Sequence, residues 1–203
     1  KRAVARLSSV VHQIDDDLRF LNDIRNVLRK LPHVEDEFTV VIAGYPNVGK
    51  SSFIRLVSSA TPEVASYPFT TKGIIVGHRM TGRERMQFID TPGVLDRPAE
   101  ERNAIERQAL TAVVNLADVI LCIIDATEHC GYPIEEQVRL IHEIESLTDA
   151  PVLVVANKSD LVYFDGYLNM STETGEGISE VVDTLMGYRE KKVSDEKGEG
   201  EPC

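Results

Sequence analysis

Gly44-Tyr45-Pro46-Asn47-Val48-Gly49-Lys50-Ser51 fits the spacing GxxxxGK[ST], and Ser52 continues it. The motif lies between an apolar run, 38–43, and a helical pattern over 51–59, which is the context it needs. A loop of this kind turns its backbone N–H groups and the start of the following helix toward phosphate oxygens. The Lys50 ammonium would then reach the β- and γ-phosphates, and the Ser51 hydroxyl would be a ligand of Mg²⁺.

Two further segments extend that chemistry. Asp90-Thr91-Pro92-Gly93 follows a strand-like run, 39 residues after Ser51. Alone it reads as an ordinary turn. After a phosphate loop, the Asp90 carboxylate is placed to hold Mg²⁺ through water, and the Gly93 amide to meet a γ-phosphate. Asn157-Lys158-Ser159-Asp160 ends another apolar run. The forked oxygens of Asp160 match the paired N1–H and N2–H₂ donors of guanine, a pair that adenine lacks. The Lys158 stem can lie over the base, and the Asn157 amide can tie this loop to the phosphate loop. Ser171-Thr172-Glu173 offers backbone amides for guanine O6, although its composition is common in loops.

These residues need a scaffold. Strand patterns fall at 38–43, 74–78, 86–90, 119–125, 152–157 and 167–171, with a hairpin turn at 81–83. Helical patterns fall at 51–59, 98–117, 134–147 and 178–186. Alternation of this kind predicts an α/β fold, a mostly parallel six-stranded sheet flanked by helices. An amphipathic stripe over 4–31 ends at Pro32, so a helical segment is expected to precede the domain. One such helix cannot bury its stripe alone. Residues 1–32 thus read as the end of an N-terminal helical domain, 38–188 as the nucleotide domain and 189–203 as a disordered charged tail.

Composition narrows the setting. The chain of 203 residues holds 22 Lys+Arg against 33 Asp+Glu, for −11, and is 42% hydrophobic. That apolar fraction suits a folded core. The longest apolar run, Val119–Ile124, is strand-sized and implies no membrane span. Cys122, Cys130 and Cys203 show no CxxC spacing, so a reduced cytoplasmic setting is expected, without a disulfide framework. Residues 1–30 carry +3, residues 189–203 carry −1, and the body holds −13. RNA contact is therefore expected at the basic N-terminal part.

Together the motifs resemble the Ras-like P-loop GTPases over 38–188. Tyr67-Pro68-Phe69-Thr70-Thr71-Lys72 is similar to the first switch segment of the Obg-type translation GTPases. That resemblance implies that Phe69 and Thr70 border the nucleotide and that Thr71 reaches Mg²⁺ in the GTP state. Asn115-Leu116-Ala117-Asp118 and the run from Asp125 through Thr127, Glu128, His129, Cys130 and Gly131 to Tyr132 resemble the Nog1 branch. Its members have a helical N-terminal domain and act in large ribosomal subunit assembly. The resemblance implies a GTP/GDP switch that hydrolyses GTP, works on a large-subunit precursor or rRNA, and is cytoplasmic, or nucleolar in a eukaryote. A monomer is expected. Lys50, Thr71 and Gly93 would carry catalysis.

Two departures bear on rate. Val94 stands where many small GTPases have a water-orienting Gln, which implies slow unassisted turnover. Asn47 matches the asparagine with which related GTPases help bind K⁺, while its plain reading is a loop cap. Three other readings stay open: a P-loop kinase or ATPase, a module that holds GTP without turnover, and an Obg- or DRG-like GTPase with another RNA task. His129 and Cys130 are adjacent, but two residues do not make a metal site.

Overall fold

A computed structural model describes residues 37–65, 74–81, 84–90 and 114–198. The strands are β1 (Phe38–Ala43), β2 (Glu63–Ala65), β3 (Ile74–Thr81), β4 (Glu84–Asp90), β5 (Val119–Asp125), β6 (Val152–Asn157) and β7 (Leu168–Asn169). The helices among the described residues are α1 (Lys50–Val57), α2 (Ile134–Glu145) and α3 (Ile178–Gly198). One sheet runs β2-β3-β4-β1-β5-β6-β7. Strand β3 is antiparallel to both neighbours, and every other pairing is parallel.

The central strands explain themselves. All residues of β1 and β5 are buried, as continuous apolar runs with helices on both faces require. On one side α1 seats Phe53 edge-on against Phe88 of β4, with ring centroids 6.0 Å apart. Gly77 of β3 lets that helix come close, since a Cβ there would lie 2.1 Å from Ser58 Oγ. Leu140, Ile141 and Ile144 of α2 and Val181, Val182 and Leu185 of α3 complete the core.

The sheet has seven strands where six were expected. The extra one, β2, is three residues on the outer edge beside β3. Its Val64 is exposed, so no alternation of buried and exposed positions announces it. Strand β7 is shorter than its apolar pattern suggests.

The chain end is a larger correction. Residues 189–198, expected as disordered tail, continue α3 to Gly198. Local side-chain contacts support the extension. Lys191 Nζ lies 5.8 Å from the Tyr188 ring centre, and Ser194 Oγ donates to the Glu190 carbonyl. Lys192 pairs with Asp118 at the start of β5. The same carboxylate accepts the Thr39 N–H of β1 at 2.7 Å. Residues 1–36, the body of the expected helix at 98–117 and residues 199–203 lie outside the described set.

Candidate functional site

The parallel strands β4, β1, β5 and β6 end at one edge of the sheet, where loops from different strands can converge. From β1 the chain enters the glycine loop with Gly44 at φ 136°, and a Cβ there would sit 2.3 Å from the Ile123 carbonyl oxygen of β5. Gly49, at φ 108°, has the same constraint from another direction: its Cβ would fall 2.1 Å from Asn157 Nδ2. Only glycine fits either place. Between them Asn47 adopts the left-handed region at φ 64° and is exposed.

Helix α1 begins at Lys50 with no side-chain cap and no acidic residue in its first turn. Its first N–H groups carry partial positive charge that a bound anion would complement. The buried Lys50 donates to the carbonyls of Gly44 at 2.7 Å and Tyr45 at 2.8 Å, closing the loop on itself. Ser51 Oγ donates to Asp90 Oδ2 at 3.1 Å. Register sets that meeting, since Asp90 of β4 pairs with Ile42 of β1.

The second loop is tied to the first by Asn157. Its Nδ2 donates to the Val48 carbonyl at 2.7 Å and to Thr172 Oγ1 at 3.0 Å, and its Oδ1 accepts the Thr172 N–H at 2.9 Å. Ser171, fully buried, donates its hydroxyl to Asp160 Oδ1. Its Oγ also accepts the N–H groups of Glu173 at 3.3 Å and Thr174 at 3.1 Å. The N–H of Ser171 bonds the Glu176 carbonyl. The amides of Ser171, Thr172 and Glu173 are thus engaged within the protein. The expectation that they serve a base carbonyl must accommodate that: this segment braces Asp160 and Asn157, and any base contact is shared with those bonds.

Lys158 occupies the left-handed region at φ 65°. Its ammonium pairs with Asp125, a residue to which the nucleotide motifs assign no role. Asp125 ends β5 directly beside Asn157 in the strand register. Burial alone would raise its carboxyl. Hydrogen bonds from Lys158, Thr127 and the Cys130 amide outweigh burial and hold it below the ordinary aspartate range. Gln137 of α2, also buried, locks the same point by bonding both the Asp125 N–H and its carbonyl, and reaches the Tyr132 carbonyl at 2.8 Å. Tyr132 stacks on Tyr45 of the glycine loop with centroids 4.1 Å apart. A charged residue at the end of the strand next to the Asn-Lys-x-Asp loop is the available signal for Asp125.

Among the described residues no cluster of three His, Cys, Asp or Glu could hold a metal ion. His129 is exposed, and Cys130 is buried against Gln137. Burial, with the Glu145 charge, pushes the Cys122 thiol up to about 12. Phe69, Thr70, Thr71, Thr91, Pro92 and Gly93 lie outside the described residues.

A phosphate-type glycine loop at the carboxyl edge of a parallel sheet, tied to an Asn-Lys-x-Asp loop, defines a GTP-binding P-loop domain. Residues 39–158 match the model of the 50S ribosome-binding GTPase family. A crystal structure of nucleolar GTP-binding protein 1 from Plasmodium falciparum superposes with a TM-score of 0.71 at 33% identity, over 82% of this chain and 93% of that one. The chain belongs to the nucleolar GTP-binding protein 1 (Nog1) family of these GTPases. The Arabidopsis thaliana member is 42% identical over 94% of this chain and 29% of its own length. An uncharacterized protein of Methanocaldococcus jannaschii is 51% identical over 80% of this chain and 45% of its own. The chain therefore spans less than half the length of these curated relatives. No helix among the described residues is long and apolar enough to cross a membrane.

Proposed function

We propose that this domain binds GTP and GDP, hydrolyses GTP to GDP and phosphate, and acts as a switch on a large ribosomal subunit precursor. The observation that carries the nucleotide reading is the Asn157 bridge, which fastens the base loop to the phosphate loop through the Val48 carbonyl. In this reading Gly44 to Ser52 wrap the phosphates. Lys50 leaves the Gly44 and Tyr45 carbonyls for the β- and γ-phosphates, so the loop's own closure is exchanged for ligand contact. Asp160 reads the guanine edge from a carboxylate already oriented by Ser171.

The hydroxyl of Ser51 and the carboxylate of Asp90 meet at 3.1 Å, and this hard-oxygen pair suits Mg²⁺. When bound, the ion would supply positive charge to the phosphates. Thr71 would join that set in the GTP state, and the Gly93 amide would meet the γ-phosphate. The chain's own part is positioning and electrostatics, so unassisted turnover is slow. The exposed amide of Asn47 is where K⁺ would add positive charge; the same residue also serves the loop by its left-handed backbone.

The names of the matched family and relatives support the ribosomal partner. The basic residues 1–32 are the better RNA contact, because the acidic body repels phosphate. The test replaces Asp160 by Asn, which removes one acceptor and should move preference from guanosine to xanthosine nucleotides. Unchanged GTP preference would overturn the base assignment and reopen the kinase or ATPase reading. Timing hydrolysis with and without large ribosomal subunits, in K⁺ and in Na⁺, addresses the rest. No turnover in any condition would leave a binding module, and equal rates in both salts would remove K⁺.

A further inference from the structure

We infer that Asp125 is the positioning residue for Lys158 and thereby sets the strength of guanine recognition. The inference rests on the reading of Lys158 and Asp160 as the base-binding pair. A lysine stem has four rotatable carbons and is costly to hold still. Here both of its ends are fixed. The backbone of Lys158 is held at φ 65°, and its ammonium is held by Asp125 Oδ2.

Asp125 is itself immobile. Its side chain is fully buried, while that of Lys158 is 24% exposed. Oδ1 accepts the Thr127 N–H at 3.0 Å and the Thr127 hydroxyl, and Oδ2 accepts the Cys130 N–H at 2.8 Å. Gln137 fixes the backbone on both sides, at 2.8 Å and 3.0 Å. A carboxylate so held cannot follow a wandering ammonium, so it defines where the stem lies. Asp125 is placed beside Asn157 by strand register, so its carboxylate meets the ammonium of Lys158, the next residue after that strand.

A purely structural role is the competing account, because three of the four donors to Asp125 come from loop residues 127–130. Base recognition separates the two. GDP carries the base, and inorganic tripolyphosphate does not. Calorimetric titration of both ligands into wild type, D125N, K158M and the double variant is the experiment. D125N and K158M should each weaken GDP about ten-fold, the order expected for losing a bond to a charged group. Tripolyphosphate affinity should be unchanged, and the double variant should bind GDP no more weakly than K158M. H129A, which trims an exposed side chain of the same loop, should retain GDP affinity. Should D125N not fold, D125E carries the same test by moving the charge one methylene.

Additive losses in the double variant, or equal loss of GDP and tripolyphosphate in D125N, would overturn the role of Asp125. Unchanged GDP affinity in K158M would instead overturn the base-site reading beneath it.

Discussion

Asn157 Nδ2 lies 2.7 Å from the carbonyl oxygen of Val48, a bond between residues 109 apart in sequence. It joins the loop after β6 to the loop after β1, and both partners are buried. Replacing Asn157 by Ala removes two donated bonds and one accepted bond. The buried Val48 carbonyl is then unpaired, at a cost of about 1–3 kcal/mol. Urea unfolding should show that loss, and GDP affinity should fall by more than the stability change alone implies, since both loops are released.

Gly49→Ala places a methyl carbon 2.1 Å from Asn157 Nδ2 at a φ of 108°. Backbone strain and collision act together. The variant should unfold with at least about 2 kcal/mol less stability and show no measurable GDP binding by titration. Gly131→Ala is the control: that glycine also has positive φ, but nothing lies within 4 Å of where its Cβ would stand, so only the smaller backbone cost applies.

Ser51→Ala deletes the hydroxyl that donates to Asp90 at 3.1 Å. The unliganded domain should lose only about 1 kcal/mol in urea unfolding. The stronger effect should be on the metal. GDP affinity measured with Mg²⁺ and with EDTA should differ clearly in wild type and hardly at all in the variant.

Asp125 titrates below the ordinary aspartate range in the folded state. A lowered folded value means that its ionised form stabilises the fold above the unfolded pKa, near 4, and that this contribution disappears as pH falls through the folded value. Acid unfolding curves of wild type and D125N should therefore converge below about pH 4, with wild type more stable above it. A constant difference across the whole range would contradict the assignment.

Cys122 has its thiol pushed up to about 12, chiefly by burial, and burial also raises Cys130. Neither should react with iodoacetamide at pH 8 in the native protein, because thiolate is the reactive form. Peptide mass mapping should find both labelled once urea unfolds the domain.

Legibility follows the range of the forces involved. The β1-loop-α1 unit can be read because apolar run, glycine positions and helix start lie within twenty consecutive residues, 38–57. Strand β5 is legible for a similar reason, being uniformly buried. Strand β2 is not, since three residues with an exposed Val64 are held mainly by pairing to β3. The end of α3 passes for a disordered tail because its composition is polar. It is held by a tertiary contact, Lys192 to Asp118, on top of local pairs. Phosphate-loop and base-loop residues carry their chemistry in their spacing. Asp125 does not, since its value depends on a neighbour 33 residues away that strand register brings alongside.

The carboxylate of Asp118 receives both the Thr39 N–H, where the first strand begins, and Lys192 of the last helix. Entry and exit of the domain are thus knotted at one pole, opposite the nucleotide edge. A fold closed in this way behaves as a cassette. The start of the first strand and the last helix thus share one carboxylate, on the side of the sheet away from the phosphate and base loops.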